Sequence, residues 1–342
     1  MEYAKIGFIG CGTHSTNNLY PMLKYARCRL QAVCDKDKAL AERNARVFGG
    51  RAVYTDADAM LDSENLDGVM IVGPPQMHYD LGRKVLERGI PLFVEKPPAS
   101  NLASARELAD LAAERGTIFM VGFMKRFALT YKRIRDFAAQ GRFDPSCGFF
   151  RYMHWANTNL EPMLLFMAIH PIDLAISFFG EVAEVASATY NGGRALCLAL
   201  TLRFTSGKWA QLMLGCHGPR IQEHVEISGV MDGKDGCFVV DDIIQMELHT
   251  AGRSGVDLTP SLPEIAPTFD LDDIKVWRPD FGLPNMGQNS PFLCGYAGEI
   301  REFVDAILDK RQPTPGGEEC LAAMQVIDAI LKKPDGTTKL SS

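Results

Sequence analysis

The 342-residue sequence is poor in the features that mark several large protein classes. Its nine cysteines form no C-x-x-C pair, and neither they nor the seven histidines fall at zinc-ligand spacing. No metal site is therefore expected. An odd number of scattered thiols, with no secretory leader before the first strand, reads as reduced cysteine in a cytoplasm rather than a disulfide framework. Basic blocks are absent and the net charge is −6, which argues against a nucleic-acid partner. The longest uncharged apolar run, Pro162 to Ile172, is too short to span a bilayer, so no membrane partner is expected. There is no internal repeat and no low-complexity stretch. What remains is an ordinary globular composition, 46% hydrophobic, with length enough for about two domains.

The chain is organised around Lys5-Ile6-Gly7-Phe8-Ile9-Gly10-Cys11-Gly12-Thr13-His14-Ser15. Ile6, Phe8 and Ile9 read as a buried strand, followed by a glycine turn and the polar start of a helix. In a dinucleotide site Gly10 permits the tight turn and Gly12 lets backbone approach a pyrophosphate, with Thr13 and His14 beside it. Ser15 replaces the third glycine of G-x-G-x-x-G, which predicts slightly looser helix–strand packing. Taken alone, G-x-G also fits any strand-to-helix turn.

Strand and helix then alternate. Strands are expected at Leu30–Cys34, Ala52–Tyr54, Gly68–Val72, Pro91–Val94 and Ile118–Val121. Helices are expected at Leu19–Ala26, Asp37–Phe48, Ala57–Leu61, His78–Arg88, and from a Ser100 cap to Arg115. Such βα repetition predicts a doubly wound parallel sheet over residues 1–122. Residues 123–342 change character. Helices at Leu129–Gln140 and Leu160–Phe179, the latter broken near Pro171, flank a strand at Phe149–Trp155. Strands then follow without intervening helices: Val182–Tyr190, Ala195–Phe204, Lys208–Cys216, Gln222–Ser228 and Cys237–His249. This is a second, mostly antiparallel α/β domain. Asp257–Ser290 reads as a long loop, and helices at Glu299–Leu308 and Glu318–Leu331 close the chain.

Asp35 closes the second strand, where a carboxylate accepts from an adenosine ribose hydroxyl and repels a 2′-phosphate. This favours NAD, although Lys36 leaves NADP open. Glu95-Lys96-Pro97 stands at the carboxyl end of a parallel strand, the edge where open α/β sheets bind ligands. A lysine there suits a substrate hydroxyl or a developing alkoxide.

These residues resemble the glucose–fructose oxidoreductase / inositol dehydrogenase / rhizopine-catabolism oxidoreductases. The resemblance runs through Ile6–Gly12, Gly73-Pro74-Pro75-Gln76-Met77-His78, Gly89–Pro97 and Val121–Phe127. It continues through His170-Pro171-Ile172-Asp173-Leu174 and Gly295–Ile300 with Phe303. It implies a Rossmann domain, a C-terminal α/β domain with an open sheet, and NAD(P)-linked chemistry on a sugar, cyclitol or related polyol. By matching position it implies Lys96 as the catalytic lysine and His170 as the catalytic histidine. Pro74 and His78 would lie along the cofactor, with Glu95 and Lys96 near the nicotinamide. A homodimer or homotetramer built through the open sheet is the matching assembly.

One departure stands out. Many members carry an aspartate four residues before that histidine; here it is Phe166. Phe166 cannot orient or charge-stabilise an imidazole, and Asp173 is the remaining nearby carboxylate. Substrate contacts are expected from Arg126, His154, Trp155, Asn157, Phe166 and Asp173. The expected activity is hydride transfer between nicotinamide and a carbinol or keto carbon. Its rivals are a catalytically silent nucleotide-binding sensor and a redox-neutral NAD-dependent glycosidase or lyase.

Overall fold

Short, continuously apolar strands that need cover on both faces build the first sheet. The computed structural model describes residues 2–154, 159–193, 195–216, 220–250, 274–280 and 290–340. β1 (Ala4–Ile9), β2 (Cys28–Cys34), β3 (Ala52–Tyr54), β4 (Gly68–Ile71), β5 (Leu92–Glu95) and β6 (Phe119–Gly122) form one sheet in the order β3-β2-β1-β4-β5-β6. Every pairing in it is parallel. The order reverses between β1 and β4, and the glycine turn leaves β1 at that point.

Helices fill the connections, each with a local cause. Asp37 Oδ1 accepts from the amides of Ala39 and Leu40, starting the helix Lys38–Phe48. The helix Leu102–Arg115 is capped by Asn101 rather than Ser100, because Asn101 Oδ1 reaches the Ser104 amide at 2.9 Å. The helix expected over Leu19–Ala26 is not regular. Ser15–Leu19 is a π-helical turn, Tyr20–Tyr25 a 3₁₀ turn with Pro21 in its first positions, and Ala26 is extended. Ser15 is fully packed, its hydroxyl donating to the Gly12 carbonyl at 3.0 Å.

The second sheet has nine strands in the order β14-β13-β12-β11-β7-β10-β9-β8-β15. They are β7 (Phe143–Met153), β8 (Val182–Asn191), β9 (Leu196–Phe204), β10 (Trp209–Gly215), β11 (Gln222–Met231), β12 (Lys234–Asp241), β13 (Gln245–Thr250), β14 (Ile274–Trp277) and β15 (Gly336–Lys339). Only β7 with β10 is parallel among the described pairings. Asp242 and Ile243, both at positive φ, turn the chain and divide the strand expected at Cys237–His249. β14 lies inside the expected loop, the remainder of which falls outside the described residues apart from Arg278–Asp280 and Ser290. On β10, Ala210, Leu212 and Leu214 are buried while Trp209 and Met213 are exposed on the opposite face.

The apolar stretch Leu160–Phe179 is 20 residues long and mostly buried inside the protein. Its irregularity lies at the π turn Leu164–Ala168, upstream of Pro171. Pro171 sits in the first turn of the helix Ile169–Phe179, where a missing amide costs least. Near the end of the chain the helix Tyr296–Asp309 returns to the first sheet. Phe303 packs on Phe93 of β5 with ring centroids 5.7 Å apart, and Arg27 holds Asp305 at 2.9 Å. The helix Gly317–Lys332 packs between the helices Leu102–Arg115 and Ile169–Phe179.

Candidate active site

The switch point of the first sheet is shaped by Gly10. Its φ is +105°, and a Cβ there would lie 2.0 Å from the Val72 carbonyl oxygen, so the turn needs glycine. At Gly12 a Cβ would meet nothing within 4 Å, because the loop faces open space. Asp35 braces this turn: its Oδ2 accepts from the Cys11 amide at 2.6 Å and its Oδ1 from the Asp37 amide at 2.9 Å. Gly10, Asp35, Lys36 and Pro74 line one cleft of about 580 Å³, together with Gln76 and Asp80. Thr13 and His14 are exposed beside the glycine turn.

His78, expected along the cofactor, is engaged by the protein's own backbone. It is fully buried, and both ring nitrogens are occupied by backbone. The Gly73 amide donates to Nε2 at 3.0 Å, so Nδ1 carries the proton and donates to the Pro97 carbonyl at 2.8 Å. Burial holds this imidazole neutral. His78 is thus a brace between the Gly73 turn and the Lys96–Pro97 segment, whose peptide bond is cis.

Glu95 closes β5 and is almost wholly buried. Its Oε2 accepts from the Lys96 amide at 3.0 Å, whereas Oε1 has no hydrogen-bond partner among the described residues. Gly122 on β6 makes room for it, since a Cβ there would lie 3.2 Å from that Oε1. The Lys96 ammonium crosses to the second domain and donates to the Phe166 carbonyl at 3.2 Å. In a π turn that carbonyl would look to the amide five residues on, but that residue is Pro171, which has none. His170 follows four residues after Phe166, so the lysine ends on the turn that presents the histidine. Burial, then Lys125, lowers the Lys96 pKa against the opposing pull of Glu95.

His170 is held neutral by burial and by Lys96, Lys125 and His14, which together push its pKa well below 6.5. Its Nδ1 is buried without a partner among the described residues. Phe166, four residues earlier, is 42% exposed and its side chain carries no acceptor. Asp173 does not substitute for the missing carboxylate. It forms a buried pair with Arg126, whose Nε and Nη2 donate at 2.9 and 2.6 Å. Arg126 and Asp173 therefore anchor the histidine's helix to the segment after β6, in place of the expected substrate contacts. His154 follows β7 and is half-buried, while Trp155 and Asn157 lie outside the described residues.

Sequence reasoning missed a buried network beside these groups. Lys125 is paired with Glu223, which also accepts from Tyr131 Oη at 2.6 Å, and the Lys125 ammonium lies 4.2 Å from the Tyr152 ring centroid. Lys125 and Glu223 are 98 positions apart, and only sheet formation joins them. Glu299, in the Gly295–Ile300 stretch, is fully buried.

A doubly wound sheet opened by a glycine turn, beside a second sheet domain that supplies the facing histidine, is the build of a nicotinamide-linked oxidoreductase. Residues 4–123 match the model of an oxidoreductase family with an NAD-binding Rossmann fold. Residues 132–340 match the same family's C-terminal alpha/beta domain, and the chain belongs to this family. D-apiose dehydrogenase of Paraburkholderia graminis is 28% identical over 76% of this chain and 72% of its own. Inositol 2-dehydrogenase of Rhizobium meliloti is 24% identical over 96% of each. Among solved structures, a dehydrogenase from Chromobacterium violaceum superposes with a TM-score of 0.85 at 27% identity, covering 98% of this chain and 96% of its own.

Proposed function

We propose that this oxidoreductase passes a hydride between NAD and a hydroxyl-bearing carbon of a small polyhydroxylated compound, with Lys96 and His170 handling the proton. The carrying observation is the Lys96 ammonium ending on the Phe166 carbonyl, four residues before His170. Two features suit the cofactor. The open space over Gly12 admits a pyrophosphate against backbone, and Glu95 Oε1, without a hydrogen bond among the described residues, suits a donor from the nicotinamide half. NAD supplies hydride acceptance or donation when bound.

The protein's own part is orientation and proton control. In the oxidising direction neutral His170 accepts the hydroxyl proton, because burial and nearby cations keep its nitrogen unprotonated. Lys96 holds the same oxygen and stabilises its growing negative charge. Asp35 favours NAD over NADP by placing a carboxylate in the adenosine cleft. His154, at the end of β7, is a substrate contact in this reading.

Substrate class follows from the dehydrogenases of inositol and apiose to which the chain is similar. A cytoplasmic homo-oligomer assembled through the open face of the second sheet completes the proposal. The test is a screen of sugars, cyclitols and their keto forms, followed by nicotinamide absorbance with NAD and NADP. Reduced nicotinamide should accumulate with at least one polyol. Nucleotide binding without turnover on any of them would instead support a sensor.

A further inference from the structure

Glu299 lies beside the catalytic lysine, fully buried, with no partner for either carboxyl oxygen among the described residues. Its place follows from a ring contact and two periodicities. Phe303 packs on Phe93 at 5.7 Å. Four residues back along the helix is about 6 Å, and two residues forward along the strand is about 6.6 Å. Both steps keep the same face, so Glu299 comes opposite Glu95. One turn further, Tyr296 meets His14 edge-on at 5.8 Å, and His14 Nε2 lies 3.6 Å from Glu95 Oε1. Phe303, Glu299 and Tyr296 thus match Phe93, Glu95 and His14 in order.

Among the described residues, no hydrogen-bond donor reaches Glu95 Oε1 or either oxygen of Glu299, all three of them buried. Two buried, adjacent carboxylates repel, which favours a proton on one of them. Burial and the Glu95 charge push the Glu299 carboxyl well above the usual range, with Lys96 opposing.

We propose that Glu299 is the proton-holding partner of Glu95 in the cofactor site: a neutral acid when no further cation is present, and a carboxylate once the positively charged ring of oxidised nicotinamide lies beside the pair. The proton passes to solvent and no electron moves. Reduced nicotinamide has a neutral ring and leaves the proton in place. This rests on the cofactor reading above. Facing Glu299 are Glu95 and Lys96 from β5 and its end, and Tyr296 on its own helix; His14 from the glycine loop meets Glu95 and Tyr296, and Lys125 acts on Lys96 from the segment after β6.

The experiment is titration calorimetry of the whole protein with NAD⁺ and with NADH, at one pH, in buffers of different ionisation heat. Wild type should release up to about one proton per chain with NAD⁺ and near none with NADH. Glu299→Gln, isosteric and permanently neutral, should still bind NAD⁺ but release no such proton. Equal release for both nucleotides overturns the proposal. So does unchanged release in Glu299→Gln, which would assign the proton to Lys96 or His14. Absence of binding heat from either nucleotide overturns the cofactor reading and this inference with it. Infrared difference spectra of wild type test the point without a variant: NAD⁺ should bleach a protonated-carboxyl C=O band, and no bleach overturns the proposal.

Discussion

The Lys96 ammonium and the Phe166 carbonyl, 3.2 Å apart, join the two sheet domains. Lys96→Met keeps much of the reach but loses charge and donors, and His170→Phe keeps a ring but loses the acceptor. Each is expected to lower turnover by about 10²-fold or more, while NAD affinity changes far less. Steady-state kinetics with calorimetry checks this, and near-wild-type turnover in both would move the proton chemistry elsewhere.

Phe166→Asp would introduce a carboxylate four residues before His170, whose Nδ1 has no hydrogen-bond partner among the described residues. With His170 as the proposed base, the active form is the neutral imidazole. Its pKa lies well below 6.5 in wild type, so the oxidation rate should show no histidine limb near neutrality. A carboxylate stabilises the imidazolium and raises that pKa by about one unit or more. The acid limb of kcat/KM should therefore move to higher pH; a profile superimposable on wild type would remove His170 as the titrating base.

Gly10 and Gly12 separate folding from binding. Gly10→Val places a side chain against the Val72 carbonyl at a left-handed φ and should destabilise the fold by about 2 kcal/mol or more. Gly12→Val faces open space, so its melting temperature should hold while NAD affinity falls by about tenfold or more. Denaturant unfolding and calorimetry on the two variants are the measurements; a reversed pattern contradicts the assignment.

Asp35→Ser removes both a carboxylate from the cleft lined by Gly10 and Pro74 and the acceptor of the Cys11 amide. The NAD:NADP ratio of kcat/KM is expected to narrow or invert, with a modest loss of stability. If wild type already prefers NADP, Lys36 is the better guide to the ribose end.

Trp209 and Met213, exposed on the open face of the second sheet, are expected at a subunit interface. Met213→Asp should shift the molar mass from light scattering toward a single chain with the fold retained. A wild type that is already monomeric excludes this assembly.

The parallel strands were legible because burial on both faces writes them as unbroken apolar runs, as at Gly68–Ile71. The glycine turn and the lysine at the sheet edge were legible because their chemistry is local. The protein partners of Asp173 and His78 were not legible, for a shared reason. A polar residue near a site offers the same letter whether it meets ligand or protein, and here the partners were Arg126, 47 positions away, and backbone at Gly73 and Pro97. The irregular turns at Ser15–Tyr25 were hidden because apolar spacing does not distinguish 3₁₀, α and π winding over so few residues.

Ile300, Phe303 and Val304, in the helix Tyr296–Asp309, share a buried cluster with Ile6, Phe8, Met70 and Phe93 of the first sheet. During translation those strands emerge long before the helix that covers them. One apolar face of the nucleotide-binding half must therefore wait at the ribosome, exposed to chaperones and to other nascent chains, until residues near 300 are made. A gene fragment ending at residue 122 would lack that helix, and its product should aggregate.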